Sequence, residues 1–462
     1  MTRYMVRTRA CVFSLSLAGM AFLCAPASAE SLTDALAMAY QNNPTLEAQR
    51  AALRATDEGV TQAKAGYRPS ISANGSIGKS ESTGGIQSQL GQPSVKATTR
   101  QGSISLSQPV FRGFQTVNNI KEASRTVMAG RADLQSTEAD TLLQAVTAYV
   151  NVLRDQAVLK LNENQVEVLK RQLDASKNRF EVGEITRTDV AQSEARLSAA
   201  ESQRIASQAQ LTASRQAYQR VIGQMPGTLD ENPPIPTLPE TQEAAMDIAG
   251  ESNPTLIAAI YREQAAEYSV DSAAGALLPR VDVQASYSKN SGTFLQGLTQ
   301  ETKSVTAQIT VPFYSGGSSY SRVRQAKEQR SQRQLQIVAA RRTVEEQVNN
   351  AWINLKAAEA TITSTKAQVD ANEIALEGVR QEAEVGSRTT LDVLDAEQEL
   401  LNSRVDLVRA ESNRTVTAYT VLSSIGRLTA QNLQLPVEYY DPAAHYDRVK
   451  DKWFGWGTSD SD

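Results

Sequence analysis

The chain is written twice. Asn43-Pro44-Thr45-Leu46 returns as Asn253-Pro254-Thr255-Leu256, and Pro69 as Pro279, both after 210 residues. Pro109 returns as Pro312, Val182-Gly183 as Val385-Gly386, Asp189-Val190 as Asp392-Val393 and Ile222-Gly223 as Ile425-Gly426, all after 203 residues. The slip of seven falls between Pro69 and Pro109, which are 40 apart, against 33 for Pro279 and Pro312. So long a period exceeds any solenoid unit. Each copy is a substantial half-structure in which one segment tolerates insertion and the rest holds its length.

Within each copy the breakers are sparse. From Phe114 to Val182 there is no proline and Gly130 is the lone glycine; from Ser318 to Val385 there is again no proline, and Gly378 is the lone glycine. Apolar residues recur at helical spacing, as in Leu142, Val146, Tyr149 and Leu153, then Val166, Leu169 and Leu173. A helix of nearly 70 residues is a rod of roughly 100 Å, a length that belongs to coiled coils. Each rod ends near a Val-Gly pair. A return helix follows, from about Thr188 to Ile222 and from Thr390 to Ile425, with Gly223 and Gly426 placed as C-cap glycines. A shorter helix opens each half, Leu32 to about Ala65 and Glu243 to about Ala276.

Between opening and long helices the period drops to two. Val281, Val283, Ala285 and Tyr287 alternate with polar residues, as do Val305, Ala307, Ile309 and Val311; Ile71, Ala73, Ile104 and Leu106 repeat the pattern more weakly. This is the alternation of a transmembrane barrel strand, apolar toward lipid and polar toward the lumen. Pro69, Pro109, Pro279 and Pro312 mark the junctions of strand and helix. Tyr67, Phe111, Phe114, Phe313 and Tyr314 cluster there, as an interfacial belt or as a buried collar. The Ser-, Gly-, Gln- and Thr-rich loops at about 80–100 and 290–302 absorb the slip. Four strands cannot close, and open edges are not tolerated in lipid. Membrane-spanning strands therefore force oligomerisation.

Arg3, Arg7 and Arg9 precede the apolar run Ala10 to Cys24 and then Ala27-Ser28-Ala29, so residues 1–29 read as a removed secretory signal. Both cysteines, Cys11 and Cys24, leave with it, and bulky Phe22 and Leu23 before Cys24 do not make a lipobox. Loss of three arginines takes the formal charge from −4 to −7. Disulfides, thiolate metal sites and nucleic-acid binding are thereby disfavoured. No later apolar run reaches the length of a transmembrane helix. His445 is the single histidine, and no acid–base cluster suggests an enzyme, a metal or a cofactor. The expected organisation is a first repeat at 30–228, a Pro-rich linker at 229–240, a second repeat at 241–428 and a tail at 429–462. The tail has no counterpart in the first half, and two fates stay open for it: wrapping the helical waist, or remaining mobile.

The pattern resembles the TolC family of outer-membrane efflux and type I secretion ducts over about residues 31–428. The most specific stretches are Arg179-Phe180-Glu181-Val182-Gly183 with Thr188-Asp189-Val190, and Val385-Gly386-Ser387-Arg388-Thr389-Thr390-Leu391-Asp392-Val393-Leu394-Asp395-Ala396. The resemblance implies a mainly α homotrimer whose β-hairpins close a 12-stranded outer-membrane β-barrel, continuous with a 12-helix α-barrel that projects into the periplasm. It implies a passive, non-enzymatic duct without cofactor, working with a periplasmic membrane-fusion adaptor and an inner-membrane transporter of RND or ABC type. The competing reading is a periplasmic coiled-coil adaptor or structural protein.

The tip turns Val182-Gly183 and Val385-Gly386 would then contact the adaptor. Asp392 and Asp395, three apart on one helical face, would ring the periplasmic aperture, crowding carboxylates that raise one another's pKa and attract cations. Arg388 would tether to Thr188 or Asp189. Ala383 stands where the family pattern leads one to expect a tether tyrosine. A plainer account covers two of the acids: Thr186 with Asp189, and Thr389 with Asp392, read as capping boxes. Across the halves Gln192 replaces Asp395 and Ile185 replaces Arg388. Trp352, at the position of Tyr149, reads as helix packing.

Overall fold

The structure, a computed structural model, describes residues 29–83, 94–292 and 299–458. The signal reading (all but Ala29) and the hairpin tips lie outside these residues. Helices α1 (Leu32–Asn42) and α2 (Pro44–Lys64) lead into strands β1 (Ser70–Thr83) and β2 (Ser94–Arg112), then into helices α3 (Gln115–Glu181) and α4 (Arg187–Ile222). The same order follows again as α5 (Gln242–Ser252), α6 (Pro254–Gly275), β3 (Arg280–Ser291), β4 (Thr299–Thr310), α7 (Ser318–Glu384) and α8 (Thr390–Ser424), with a short α9 (Ala444–Val449) in the tail. Helices α3 and α7 are each 67 residues, uninterrupted. No described helix is long and apolar enough to cross a membrane.

The opening helix of each half is not one helix, as expected from its period, but two. Asn43 and Asn253 adopt extended backbone (φ −72° and −67°) and cap α2 and α6, accepting from Thr45 N and Thr255 N at 2.9 Å, with Pro44 and Pro254 at the first helical position. Asparagine satisfies an orphan N–H, and proline loses nothing where no hydrogen bond was due. Each Asn Nδ2 also donates to the last turn of a return helix, Asn43 to the Val221 carbonyl at 2.9 Å and Asn253 to the Ser424 carbonyl at 2.8 Å. The elbow is thus fastened to the far end of its own hairpin.

The strands form one antiparallel sheet in the order β1-β2-β3-β4. Its register gathers apolar residues into rows, Ile71–Leu106–Ala285–Val305 across all four strands and Ala73–Ile104–Tyr287 across three, with Lys303 on the fourth. Ser72, Ser105, Ser286 and Ser304 form the alternate row on the other face, with hydroxyl pairs at 2.8 Å. Ile71, Ile77, Ile104, Val305 and Ile309 are all more than half exposed in the single chain. The expected loops are shorter than their composition suggested: β1 runs to Thr83, β2 resumes at Ser94 and β4 at Thr299. At these far ends the face that carries Ile71 and Tyr287 continues with Lys79, Glu81, Lys289 and Glu301, so the apolar alternation stops before the strands do and their ends read as loop.

One junction also differs. Pro109 lies inside β2 at a bulge rather than at the strand end. The switch to helix is made by left-handed residues, Gly113 and Phe114 before α3, and Gly316 and Gly317 before α7. Phe111 and Phe114 meet edge to face at 5.2 Å.

The main core lies at mid-height, where Leu142, Val146 and Tyr149 of α3 meet Leu36, Tyr218, Ile222, Leu256, Val348 and Ile425. Tyr149 and Tyr218 are fully buried there, while Trp352 packs at the margin. Beyond it the hairpins are held by thin ladders such as Val369, Leu376 and Leu400. The tail does not hang free: it begins at the waist, where Ala430, Leu435 and Tyr440 pack on the mid-height core, and its later described residues run along α2, as described below.

Candidate functional site

Both hairpin turns are built alike. At the first, Gly183 N donates to Phe180 O (2.9 Å) and Glu184 N to Arg179 O (2.9 Å); at the second, Gly386 N donates to Ala383 O (3.1 Å) and Ser387 N to Glu382 O (2.9 Å). This paired bonding is a Schellman C-cap. It requires the left-handed conformation that Gly183 (φ 82°) and Gly386 (φ 79°) adopt without a Cβ clash. The glycines are needed for the turn itself. The valines beside them are not buried by it: Val182 is 71% and Val385 80% exposed.

Two residues on, each return helix starts with a complete capping box. Thr186 N and Oγ1 donate to Asp189 Oδ2 at 2.8 and 2.7 Å, and Asp189 N donates back to Thr186 Oγ1. Thr389 N and Oγ1 donate to Asp392 Oδ2 at 2.9 and 2.8 Å, with the same return bond. These bonds hold both carboxyls below the ordinary carboxylate range, the threonine hydroxyl dominating at Asp189 and the threonine N–H at Asp392. Within the chain Asp392 is therefore a helix cap whose charge is stabilised, not raised in pKa. Thr188 stands exposed on the first turn of α4.

The charges around the turns are arranged differently from the expected tether. Arg388 Nε donates to Glu382 Oε2 at 2.8 Å, across its own turn, and makes no bond to Thr188 or Asp189 in the single chain. The first turn carries the mirrored pair, Arg179 Nε to Glu184 Oε2 at 3.1 Å. The contact that joins the two hairpins near their tips is Arg196 of α4 to Asp395 of α8. The sequence reading missed Arg196. A signal was present: at this turn the first half has Gln192 and Arg196 where the second has Asp395 and Glu399. The copies diverge in charge at both positions, and the oppositely charged members meet.

Behind the turns each hairpin is laced by ion pairs, Lys177–Glu194 (3.6 Å) and Lys170–Glu201 (3.7 Å) in the first, Arg404–Glu373 (2.6 Å) and Arg380–Glu397 in the second. Among the described residues no three His, Cys, Asp or Glu side chains converge as metal ligands. The site offers two exposed apolar tips and a small set of paired charges, which suits docking and gating.

The chain is similar to known proteins over most of its length. The model of the outer membrane efflux protein family matches residues 35–224 and 245–427. The outer membrane efflux protein BepC of Brucella suis is 38% identical over 94% of this chain and 93% of its own length. The outer membrane protein TolC of Escherichia coli is 26% identical over 91% of this chain and 87% of its own. A crystal structure of CusC, from work on transmembrane channel formation, superposes with a TM-score of 0.76 at 16% identity, covering 86% of this chain and 92% of that one. With two matched segments that together take in both hairpins, this chain belongs to the outer membrane efflux protein family.

Proposed function

We propose that three copies of this chain form an exit duct across the outer membrane and periplasm, the last element of a tripartite efflux pump or type I secretion system. The observation that carries this reading is the four-stranded sheet: one face with apolar rows left exposed, the other a serine row, and both edges, β1 and β4, unpaired among the described residues. Three such sheets joined edge to edge give a 12-stranded barrel, apolar outward. The hairpins, duplicated within the chain, give 12 helices continuing as a tunnel of roughly 100 Å. The duct needs no catalytic group. Energy comes from an inner-membrane transporter of RND or ABC type, and the Val182 and Val385 tips dock a membrane-fusion adaptor. The cargo is drugs, other toxic compounds or proteins. The coiled-coil adaptor alternative is not favoured, since the relatives above are outer-membrane proteins.

At the tunnel mouth, Asp392 and Asp395 of three copies supply rings of carboxylates that favour cations. Asp395 is shared between that ring and Arg196, so the gate is a competition: the closed mouth keeps α8 tied to α4 through Arg196, and opening releases the tie. Single-channel conductance of the purified protein in a planar bilayer tests the reading. Small cation-selective steps are expected, losing selectivity and multivalent-cation block in Asp392→Ala/Asp395→Ala. Absence of steps from folded, inserted protein would overturn it.

A further inference from the structure

The tail that lacks a counterpart in the first half follows α2 in the same direction, tied at successive turns of one helix face. Tyr440 N donates to Tyr40 OH at 3.0 Å, and Arg50 lies over both rings, 4.6 and 5.1 Å from their centroids. His445 Nδ1 lies 3.0 Å from Asp57 Oδ2. Thr61 Oγ1 donates to Val449 O at 2.6 Å, and Lys64 Nζ reaches Asp451 at 2.7 Å. The last tie is Arg68, whose Nη1 donates to Lys452 O at 2.7 Å while the guanidinium lies 4.7 Å over Trp453.

Arg68 is two residues from the start of β1, about 7 Å of extended chain. The tail is therefore delivered to the level where helix becomes sheet. There it displays rather than buries its aromatics: Trp453 is 59%, Phe454 87% and Trp456 99% exposed. The display is shaped. Gly455 takes φ 104°, open to glycine and strained for other residues, and Lys452 Nζ donates to Gly457 O at 3.3 Å, closing a turn around the aromatic run. Exposed Tyr67, Phe313 and Tyr314 lie on the same junction segments. Large rings left in water at this height, each indole carrying one N–H donor, match the headgroup zone of a bilayer.

We propose that Trp453-Phe454-Gly455-Trp456 is a membrane-interface anchor, inserted among phospholipid headgroups of the periplasmic leaflet and held in register with the barrel by Arg68. This rests on the reading that the sheet lies in the membrane. Arg68 is the positioning residue, because it fixes the tail backbone and covers one face of Trp453, leaving the other rings for lipid. Lys452, whose Nζ closes the turn, places a cationic head beside the rings, as headgroup phosphates favour, while Lys64 is paired with Asp451.

The test uses the full mature chain in phosphatidylethanolamine–phosphatidylglycerol vesicles with nitroxide lipids labelled at the headgroup or at the bilayer centre. Trp352→Phe leaves Trp453 and Trp456 as reporters. Val305→Trp in a Trp352→Phe/Trp453→Phe/Trp456→Phe background reports on the sheet separately. The expected result is tail fluorescence quenched about threefold more by the headgroup label than by the central one, with the reverse order at position 305. Quenching at 305 with none at the tail would overturn the anchor and leave the barrel standing. Tail indoles shielded from both lipid labels and from aqueous acrylamide would place them against another subunit, which also overturns it. No lipid quenching at either reporter would remove the sheet from the membrane, and the anchor with it.

Discussion

The two helical hairpins are of matching length and turn alike, yet they are clothed very differently. Helix α3 buries side chains along its length, against α4, α6, α2 and α8. Helix α7 leaves Leu335, Val338, Ile353 and Ile374 largely exposed. A chain selected to stand alone would not keep such a stripe on a 67-residue rod. Helix α3 is an internal wall of the protomer, and in the proposed trimer α7 is the wall it would lend to a neighbour; the return helices do not share the contrast, since α8 buries more of its residues than α4. The tips repeat the lesson at small scale, sharing one backbone design while only the second carries the acid that pairs with Arg196.

The largest effect expected from this contrast is on assembly. Leu335→Asp with Ile353→Asp is expected to leave the helical content of the chain intact and abolish the proposed trimer, read by native mass spectrometry in detergent; a surviving trimer would mean that α7 does not face a neighbour. Leu142→Ala, in the wall already covered, costs about 2–5 kcal/mol by loss of packing and a residual cavity, seen as a lower denaturation midpoint. Gly183→Ala and Gly386→Ala each force a Cβ into the left-handed region for about 1–2 kcal/mol, and the two should match. Unequal losses in thermal unfolding would show that one tip bears a load the other does not.

Smaller still is the tie between hairpins. The Arg196–Asp395 pair is exposed on both sides, where such pairs contribute about 0.2–1 kcal/mol. Arg196→Ala is expected to raise single-channel conductance or open probability, and Arg388→Ala to change it little, because Arg388 is spent on Glu382 of its own turn. Restoration by Arg196→Asp with Asp395→Arg would identify the contact. Last comes pH. Asp189 and Asp392 have folded pKa values below their unfolded ones. Their capping stability is present above the unfolded value near 3.9 and is lost as pH falls through the folded values. Amide exchange in acid should therefore rise at both tips together, ahead of the mid-height core.

What could be read in advance follows from the range of the interactions. Helix length, tip glycines and capping boxes are local, and Phe114–Val182, Gly183 and Thr186/Asp189 carried them in plain view. The Asn-Pro elbow was equally local, yet its recurrence drew attention to the repeat and away from its meaning as cap and first turn. Arg196–Asp395 joins positions 199 apart and Arg68–Lys452 positions 384 apart. Neither has a periodicity, and only the charge divergence between copies hinted at the first. The far ends of the strands were misread because the apolar alternation gives way there to charged residues such as Lys79, Glu81 and Glu301 while the ladder continues.

The unpaired edges of the sheet have a genetic consequence. If each protomer's β1 and β4 are sealed by its neighbours, one subunit with a spoiled edge ruins the closure of the whole ring. Co-expression of such a variant at equal level with the wild type would leave about one trimer in eight wholly sound. Edge-strand lesions in this chain should thus behave as dominant, and core lesions that prevent folding altogether as recessive.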